Sequence, residues 1–221
     1  MKKWLKKITI PILILVISVV LLVWLLWIPA AQEPPYRFIG AWGEKGGQPS
    51  QFHDPTGIVA TATEVFVSDA RNGRIQVFDH AGQFKRQFGS SGDELEQLGR
   101  PMNLSIHNSE LYVADYWNDR IQIYSLDGAF HRSIGSSGSG PGQFNAPGGV
   151  AVGANGDLYV ADFSNQRIQH LKADGSFIKQ WGVTGEIGFA AEQFNYPTDV
   201  AYGNNGELFV ADGYNDRIQI F

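Results

Sequence analysis

Hydrophobic and polar positions divide this chain into two unlike parts. From Ile8 to Ile28 every position is apolar except Thr9, Pro11 and Ser18, and no charged residue lies between Lys7 and Glu33. As a helix, this 21-residue run spans about 30 Å, the thickness of a bilayer's hydrocarbon core. Beyond it the apolar residues come in short runs such as Val65-Phe66-Val67 and Leu158-Tyr159-Val160, too short for helices and apolar on both faces. Such runs predict strands that are covered on both sides, unlike the strands of a sheet with one wet face.

These short runs repeat. A strand ending in Asp, a three-residue gap and an Arg-Ile-Gln strand recur at Glu64 to Phe78, Glu110 to Tyr124, Asp157 to Leu171 and Glu207 to Phe221. The aspartates 69, 115, 162 and 212 stand 46, 47 and 50 residues apart, each followed by Asn at the third position (Asn72, Asn118, Asn165, Asn215) and Arg at the fifth (Arg74, Arg120, Arg167, Arg217). A period of this size signals a solenoid, propeller or array. Within each unit a small-residue strand follows Pro55, Pro101, Pro147 or Pro197, with Asn155-Gly156 and Asn205-Gly206 as hairpin turns after two of them. An outer strand follows the Arg-Ile-Gln strand at Phe84 to Gly89, Phe130 to Gly135 and Phe177 to Gly182. Four antiparallel strands per unit make a propeller blade, so the predicted class is all-β, with blades over about 55–89, 100–135, 147–182 and 197–221. The last blade lacks its outer strand, and Phe38 to Gly43 repeats the outer-strand pattern ahead of the first blade. Residues 38–43 are therefore expected to close the last blade within a 36–221 propeller, the alternative being one part of a six-bladed ring.

Composition supports this class: 26 glycines, 10 prolines and 28 aromatic residues suit short strands and turns, and only 18% of residues are charged. The absence of cysteine excludes a disulfide framework, a thiolate metal site and a cysteine nucleophile. Charge sets the topology. Lys2, Lys3, Lys6 and Lys7 precede the apolar run, which predicts a cytoplasmic tail (1–7), a signal anchor (8–28), a linker (29–35) and a propeller on the periplasmic or extracellular side. A cleaved signal peptide would share the basic start, but cutting after Ala31 or Ala30 would place Pro29 or Ile28 where a small residue belongs. Removing the four leading lysines from the 17 basic residues leaves 13 against 22 acidic ones, a net charge of −9. A body so charged is not expected to bind nucleic acid.

The combined motif of Pro, small-residue strand, Asp-terminated strand, Asn, Arg-Ile-Gln, Phe and Gly resembles the NHL-repeat family from Pro55 almost continuously to Phe221. The resemblance implies a propeller; related propellers usually close with six blades, whereas four are encoded here. It also bears on catalysis, because amidating-lyase relatives of the fold carry three channel histidines. Here His53, His80, His107, His131 and His170 occupy no two equivalent positions, and the innermost strands contain none.

Candidate site residues fall into three groups. Asp69, Arg74, Asp115, Arg120, Asp162, Arg167, Asp212 and Arg217 recur in every unit, and are read as hairpin architecture rather than as four calcium loops. The innermost-strand column Gly57, Asn103, Gly149, Asp199 puts an amide and a carboxylate in alternate blades. With His53 nearby, Asn103 and Asp199 could take a cation such as Ca²⁺ or Zn²⁺, or a polar ligand, as channel groups do in gluconolactonase-like propellers. Two such groups are too few to define a metal site, and no cofactor is expected. Tyr116, Trp117, Phe163 and Tyr214 lie in turns just after the repeated Asp, all on one predicted rim, which suits an interaction patch. The expected function is a membrane-anchored binding or scaffold module for a protein or peptide; the alternative is a metal-dependent lyase or lactonase-like hydrolase working in the channel.

Overall fold

The computed structural model describes residues 37–221, of which 41–221 form one compact unit. The predicted tail, anchor and linker lie outside the described residues, and among these no helix is long and apolar enough to cross a membrane. A parallel two-strand bridge, β1 (Glu44–Lys45) with β2 (Gln51–Phe52), precedes the first blade. That blade is β3 (Pro55–Ala60), β4 (Val65–Asp69), β5 (Arg74–Phe78) and β6 (Phe84–Phe88). The second is β7 (Pro101–His107), β8 (Glu110–Asp115), β9 (Arg120–Ser125) and β10 (Phe130–Ile134), and the third is β11 (Pro147–Val152), β12 (Leu158–Asp162), β13 (Arg167–Leu171) and β14 (Phe177–Trp181). The fourth holds β15 (Pro197–Tyr202), β16 (Leu208–Asp212) and β17 (Arg217–Ile220). All blade pairings are antiparallel between chain neighbours.

Blades stack face to face because each middle strand is apolar on both sides. Phe66, Ile75 and Val77 of the first blade pack with Leu111, Val113 and Tyr124 of the second. Tyr112, Ala114, Ile121 and Ile123 then meet Leu158, Val160 and Leu171 of the third, whose Ala161 and Ile168 meet Leu208 and Val210 of the fourth. Fully burying one such side chain stabilises by about 1.5–3 kcal/mol, so these interfaces fix the order of the blades.

The repeated polar residues tie each blade to the linker ahead of it. In the third blade, buried Asp162 accepts the Asn145 backbone N–H at 2.8 Å, Asn165 Nδ2, Gln169 Nε2 at 3.0 Å and Arg167 Nε at 2.8 Å. Arg167 Nη2 donates onward to the carbonyls of Gly140 and Gln143, each at 2.9 Å. Asp69 with Arg74 and Asp212 with Arg217 repeat the carboxylate–Nε bond at 2.8 Å, while Arg120 Nε lies 3.5 Å from Asp115. These carboxylates are filled by protein donors, and the arginine fork adds charge-assisted bonds to carbonyls of the glycine-rich linkers. The tight 3₁₀ turn after Asp69 ends at Gly73 (φ +60°), where a Cβ would meet Ser91 Cα at 2.5 Å and the Leu98 carbonyl oxygen at 2.6 Å. The equivalent Asp119, Gln166 and Asp216 adopt the same left-handed conformation.

One expectation is corrected. Residues 38–43 form no strand, and the fourth sheet has three strands rather than four. The reason lies in Trp42, whose ring sits 5.9 Å from Phe78 and against Gly82 of the first blade. That is the position Phe88 takes on Tyr124 (5.2 Å) and Gly128 of the second blade. Meanwhile the inner strands β3, β7, β11 and β15 pack in succession, with no comparable packing of β15 on β3. A segment held at the first blade therefore has no access to β17.

Candidate functional site

Two places concentrate side chains with chemistry, at opposite ends of the inner strands. The first is the face where the inner strands begin and the 3₁₀ turns close. Each turn projects side chains beyond its buried Asp, and stacking of the blades brings the turns into a row. Tyr116 of the second blade lies 5.9 Å, between ring centroids, from Phe163 of the third, and Phe163 lies 6.4 Å from Tyr214 of the fourth. Tyr196 fills the angle, 4.9 Å from Phe163 and 5.0 Å from Tyr214. Trp117 joins through Arg100, whose guanidinium lies 5.8 Å from the Tyr116 ring centre and 5.7 Å from that of Trp117. Trp117 and Tyr214 are 61% and 65% exposed, large values for aromatic rings. The four aromatic residues singled out in the sequence thus lie along one continuous row.

Tyr196 and Arg100 were not among the candidates, yet the sequence carried their signal. Each stands immediately before the proline that opens a blade, in a column reading Asp54, Arg100, Ala146, Tyr196. Asp54 meets Arg100 at 2.9 Å and Arg71 at 3.4 Å, giving one end of the row a charged border. His53 belongs here as well. It lines a cleft of about 520 Å³ with Trp42, Asp54 and Arg71, and its backbone N–H binds Asp69 Oδ1 at 2.7 Å.

The second place is the channel. Asn103 reaches across two neighbouring inner strands: its Oδ1 accepts the Val150 N–H at 3.1 Å, and its Nδ2 donates to Asp199 Oδ2 at 3.1 Å. Asp199 Oδ1 accepts the Val200 N–H at 2.8 Å. Burial pushes the Asp199 carboxyl above the usual carboxylate range, against the pull of its two donors. Glycine is required beside the pair, since a Cβ on Gly149 would meet Asp199 Oδ1 at 2.2 Å. The pair borders a cleft of about 510 Å³ that opens toward Tyr202, Asn204 and His107, the last residue of the inner strand β7, where the sequence pattern had placed no histidine. His53 lines the other cleft and is not brought to the pair. Among the described residues, no three His, Asp or Glu side chains come together as a metal cluster. His170, unlike its apolar counterparts in the other blades, bonds Asp157 Oδ2 at 2.8 Å and stacks on Tyr159 at 4.5 Å.

A further ion-pair column had escaped notice. Glu64 is gripped by both Nη atoms of Arg86 at 2.8 Å, and Glu110 by Arg132 Nη1 at 2.6 Å and Nη2 at 3.0 Å. The Arg86 hydrogen bonds, with Lys85 adding to them, hold the Glu64 carboxyl down at about 2; Arg132, with His131 and Tyr112, does the same for Glu110.

With this geometry in place, comparison with known proteins identifies the architecture. Residues 93–199 match the family described as DUF5128, 6-bladed beta-propeller, and residues 194–221 match the NHL repeat. Together these matches support an NHL-repeat β-propeller. A 49-residue stretch, 22% of this chain and 5% of the other, is 45% identical to Protein brain tumor of Drosophila melanogaster. Among solved structures, a streptogramin B lyase shares 19% identity with a TM-score of 0.56, over 76% of this chain and 54% of that one. A chain of a nidogen/laminin complex shares 18% identity with a TM-score of 0.60, over 80% of this chain and 64% of that one. The chain thus spans about half the length of the lyase it resembles. At such identities these structures establish the fold alone.

Proposed function

We propose that this propeller is an extracytoplasmic docking module, anchored by the Ile8–Ile28 segment, that binds a protein or peptide through the aromatic row on its 3₁₀-turn face. The single observation carrying this reading is the unbroken contact from Tyr116 through Phe163 and Tyr196 to Tyr214, with Trp117 and Arg100 beside it. Tyr, Trp and Arg dominate the energetics of protein interfaces because they bring large, stiff, amphipathic surface at low entropic cost. Trp117 and Tyr214 are the exposed members of a half-buried row, and the Asp–Arg pairs beneath it tie the turns to the blades. The nidogen/laminin likeness supports a partner-binding use of the fold, and the leading lysines support the outward orientation of the propeller.

The test is the full chain in its own membranes carrying Trp117→Ala with Tyr214→Ala, followed by cross-linking and pull-down. Both rings are more than half exposed, so folding should be retained while partner capture falls at least about tenfold, since each anchor residue of a hot spot is worth about 2 kcal/mol. Capture unchanged by the double substitution would refute this assignment of the face.

A further inference from the structure

Arg100 shows how the aromatic face holds a cation. Its guanidinium lies 5.8 Å from the ring centre of Tyr116 and 5.7 Å from that of Trp117, and pairs with Asp54 Oδ2 at 2.9 Å. Rings and a carboxylate attract a guanidinium together, and the rings also cover its apolar stem. Along the rest of the row the carboxylates are present and the cations are not. The 92–97 linker exposes Asp93, Glu94 and Glu96. It is fastened to the Trp117 turn by Asn118 Nδ2 on the Gly92 carbonyl at 2.9 Å, and by Arg120 Nη2 on the carbonyls of Glu94 and Gln97 at 2.7 and 2.8 Å. Half-buried Asp119 closes the same turn at the junction with the third blade, where its Oδ1 takes the Ala146 N–H at 2.7 Å.

Beyond Phe163, the linker from Gly182 to Phe194 is three residues longer than its counterparts, Gly43 to Phe52, Gly89 to Leu98 and Gly135 to Phe144. The extra length folds as a turn, with the Glu186 N–H on the Val183 carbonyl and the Gly185 N–H on the carbonyl of Asn165, each at 2.9 Å. It holds exposed Glu186 against the Phe163 turn, between half-exposed Val183 and Ile187. Among the described residues, none of these five carboxylates takes part in an ion pair. At the opposite rim Glu64 and Glu110 are each gripped by an arginine. All five unpaired groups lie on the second blade or on the linkers that join the two middle blades to their neighbours.

We propose that the segment docking on the aromatic row is basic: a peptide stretch of a protein partner whose arginine and lysine side chains lie over the rings and reach these carboxylates. The proposal rests on the row being a docking surface and assigns the chemistry of its occupant. The acidic groups border the row on both sides, Asp93 to Glu96 beside Trp117 and Glu186 beside Phe163, with Asp119 at the junction. Opposite charge along a segment steers its encounter and fixes its register, while an acidic segment meets uncompensated like charge there.

The experiment selects displayed random peptides on the full chain in non-ionic detergent micelles, then titrates the selected pool. The pool should be enriched in Arg and Lys beside apolar residues. It should bind the chain carrying Glu94→Gln, Glu96→Gln and Glu186→Gln about tenfold more weakly, each rim charge being worth roughly two- to threefold at low salt. Salt raised to about 0.3 M should weaken binding to the unsubstituted chain by a similar factor and to the variant little. Asp79→Asn with Asp127→Asn and Asp174→Asn removes the same charge from turns of the opposite rim, and should change binding by less than about twofold. A neutral or acidic pool overturns the proposal, as does a pool that responds equally to the two triple variants or a screen that enriches nothing. Binding indifferent to Trp117→Ala with Tyr214→Ala refutes the row as the docking surface. Binding that needs both rings and ignores the carboxylates refutes only the basic occupant.

Discussion

The Asp–Arg staples carry a graded prediction, because the same bond lies at different depths in different blades. Arg167 is 1% exposed and donates five hydrogen bonds: to Asp162, Gln180, Thr184 and the carbonyls of Gly140 and Gln143. Arg167→Met keeps an apolar stem of similar length and removes every donor. Asp162 then keeps its charge in a site whose burial already raises its pKa, and the Gly140 carbonyl loses a buried partner. Stranding one member of a buried ion pair costs about 3–5 kcal/mol, which for a domain of this size lowers Tm by roughly 10 °C. Arg217→Met deletes the equivalent group in the fourth blade, where the side chain is 31% exposed and water replaces much of what is lost. There the cost should be about 1–2 kcal/mol. Urea unfolding of the full chain, followed by tryptophan fluorescence, compares the two directly. Equal losses, or a loss below about 1 kcal/mol for Arg167→Met, would refute the view that burial of the staple sets its worth.

Acid should act through the outer ion pairs. Glu64 and Glu110 are held at about 2, below the ordinary 4.5, so they contribute stability above pH 4.5 that is lost as pH falls toward 2. Glu64→Gln with Glu110→Gln should flatten that limb of a Tm-against-pH series, and an unchanged slope would assign it to other carboxylates. Gly73→Ala should destabilise by about 1–3 kcal/mol in thermal melts, since its φ is +60° and backbone atoms of the next linker crowd the new methyl group. Asp216→Gly, at the equivalent position in the fourth blade (φ +51°), should stabilise slightly, by about 0.5 kcal/mol.

The blades were legible because their cause is local and repeated. A strand apolar on both faces, followed by Asp, Asn and Arg at fixed offsets, states both that the sheet is covered on each side and how its turn closes. The structure supplies the partners the sequence could not name, such as the carbonyls of Gly140 and Gln143 that receive Arg167. The ion pairs of Glu64 and Glu110 were hidden for a related reason. Their acidic residues open the repeated block, but the basic partners lie two strands away, and the pairing depends on which face the outer strand turns inward. Tyr196 escaped because it belongs to a column of unlike residues, and only stacking of the blades places it between Phe163 and Tyr214.

Closure was misjudged by the same logic. The phase of the repeat marks 38–43 as an outer strand without its triplet, yet these residues form no strand and the fourth sheet stays at three. Phase alone does not say whether 38–43 and β17 meet within one chain, because that depends on how far four blades turn about the axis. The turn per blade is set by the bulk packed between neighbouring sheets. Here Phe144 and Phe194 from the linkers are wedged, fully buried, beside the second to fourth blades, together with Tyr112 and Val150 at one interface and Tyr159 and Val200 at the next. The same stacking carries the turns that follow the repeated Asp in blades two to four into one row. The apolar packing that stacks neighbouring blades is therefore what assembles the aromatic surface.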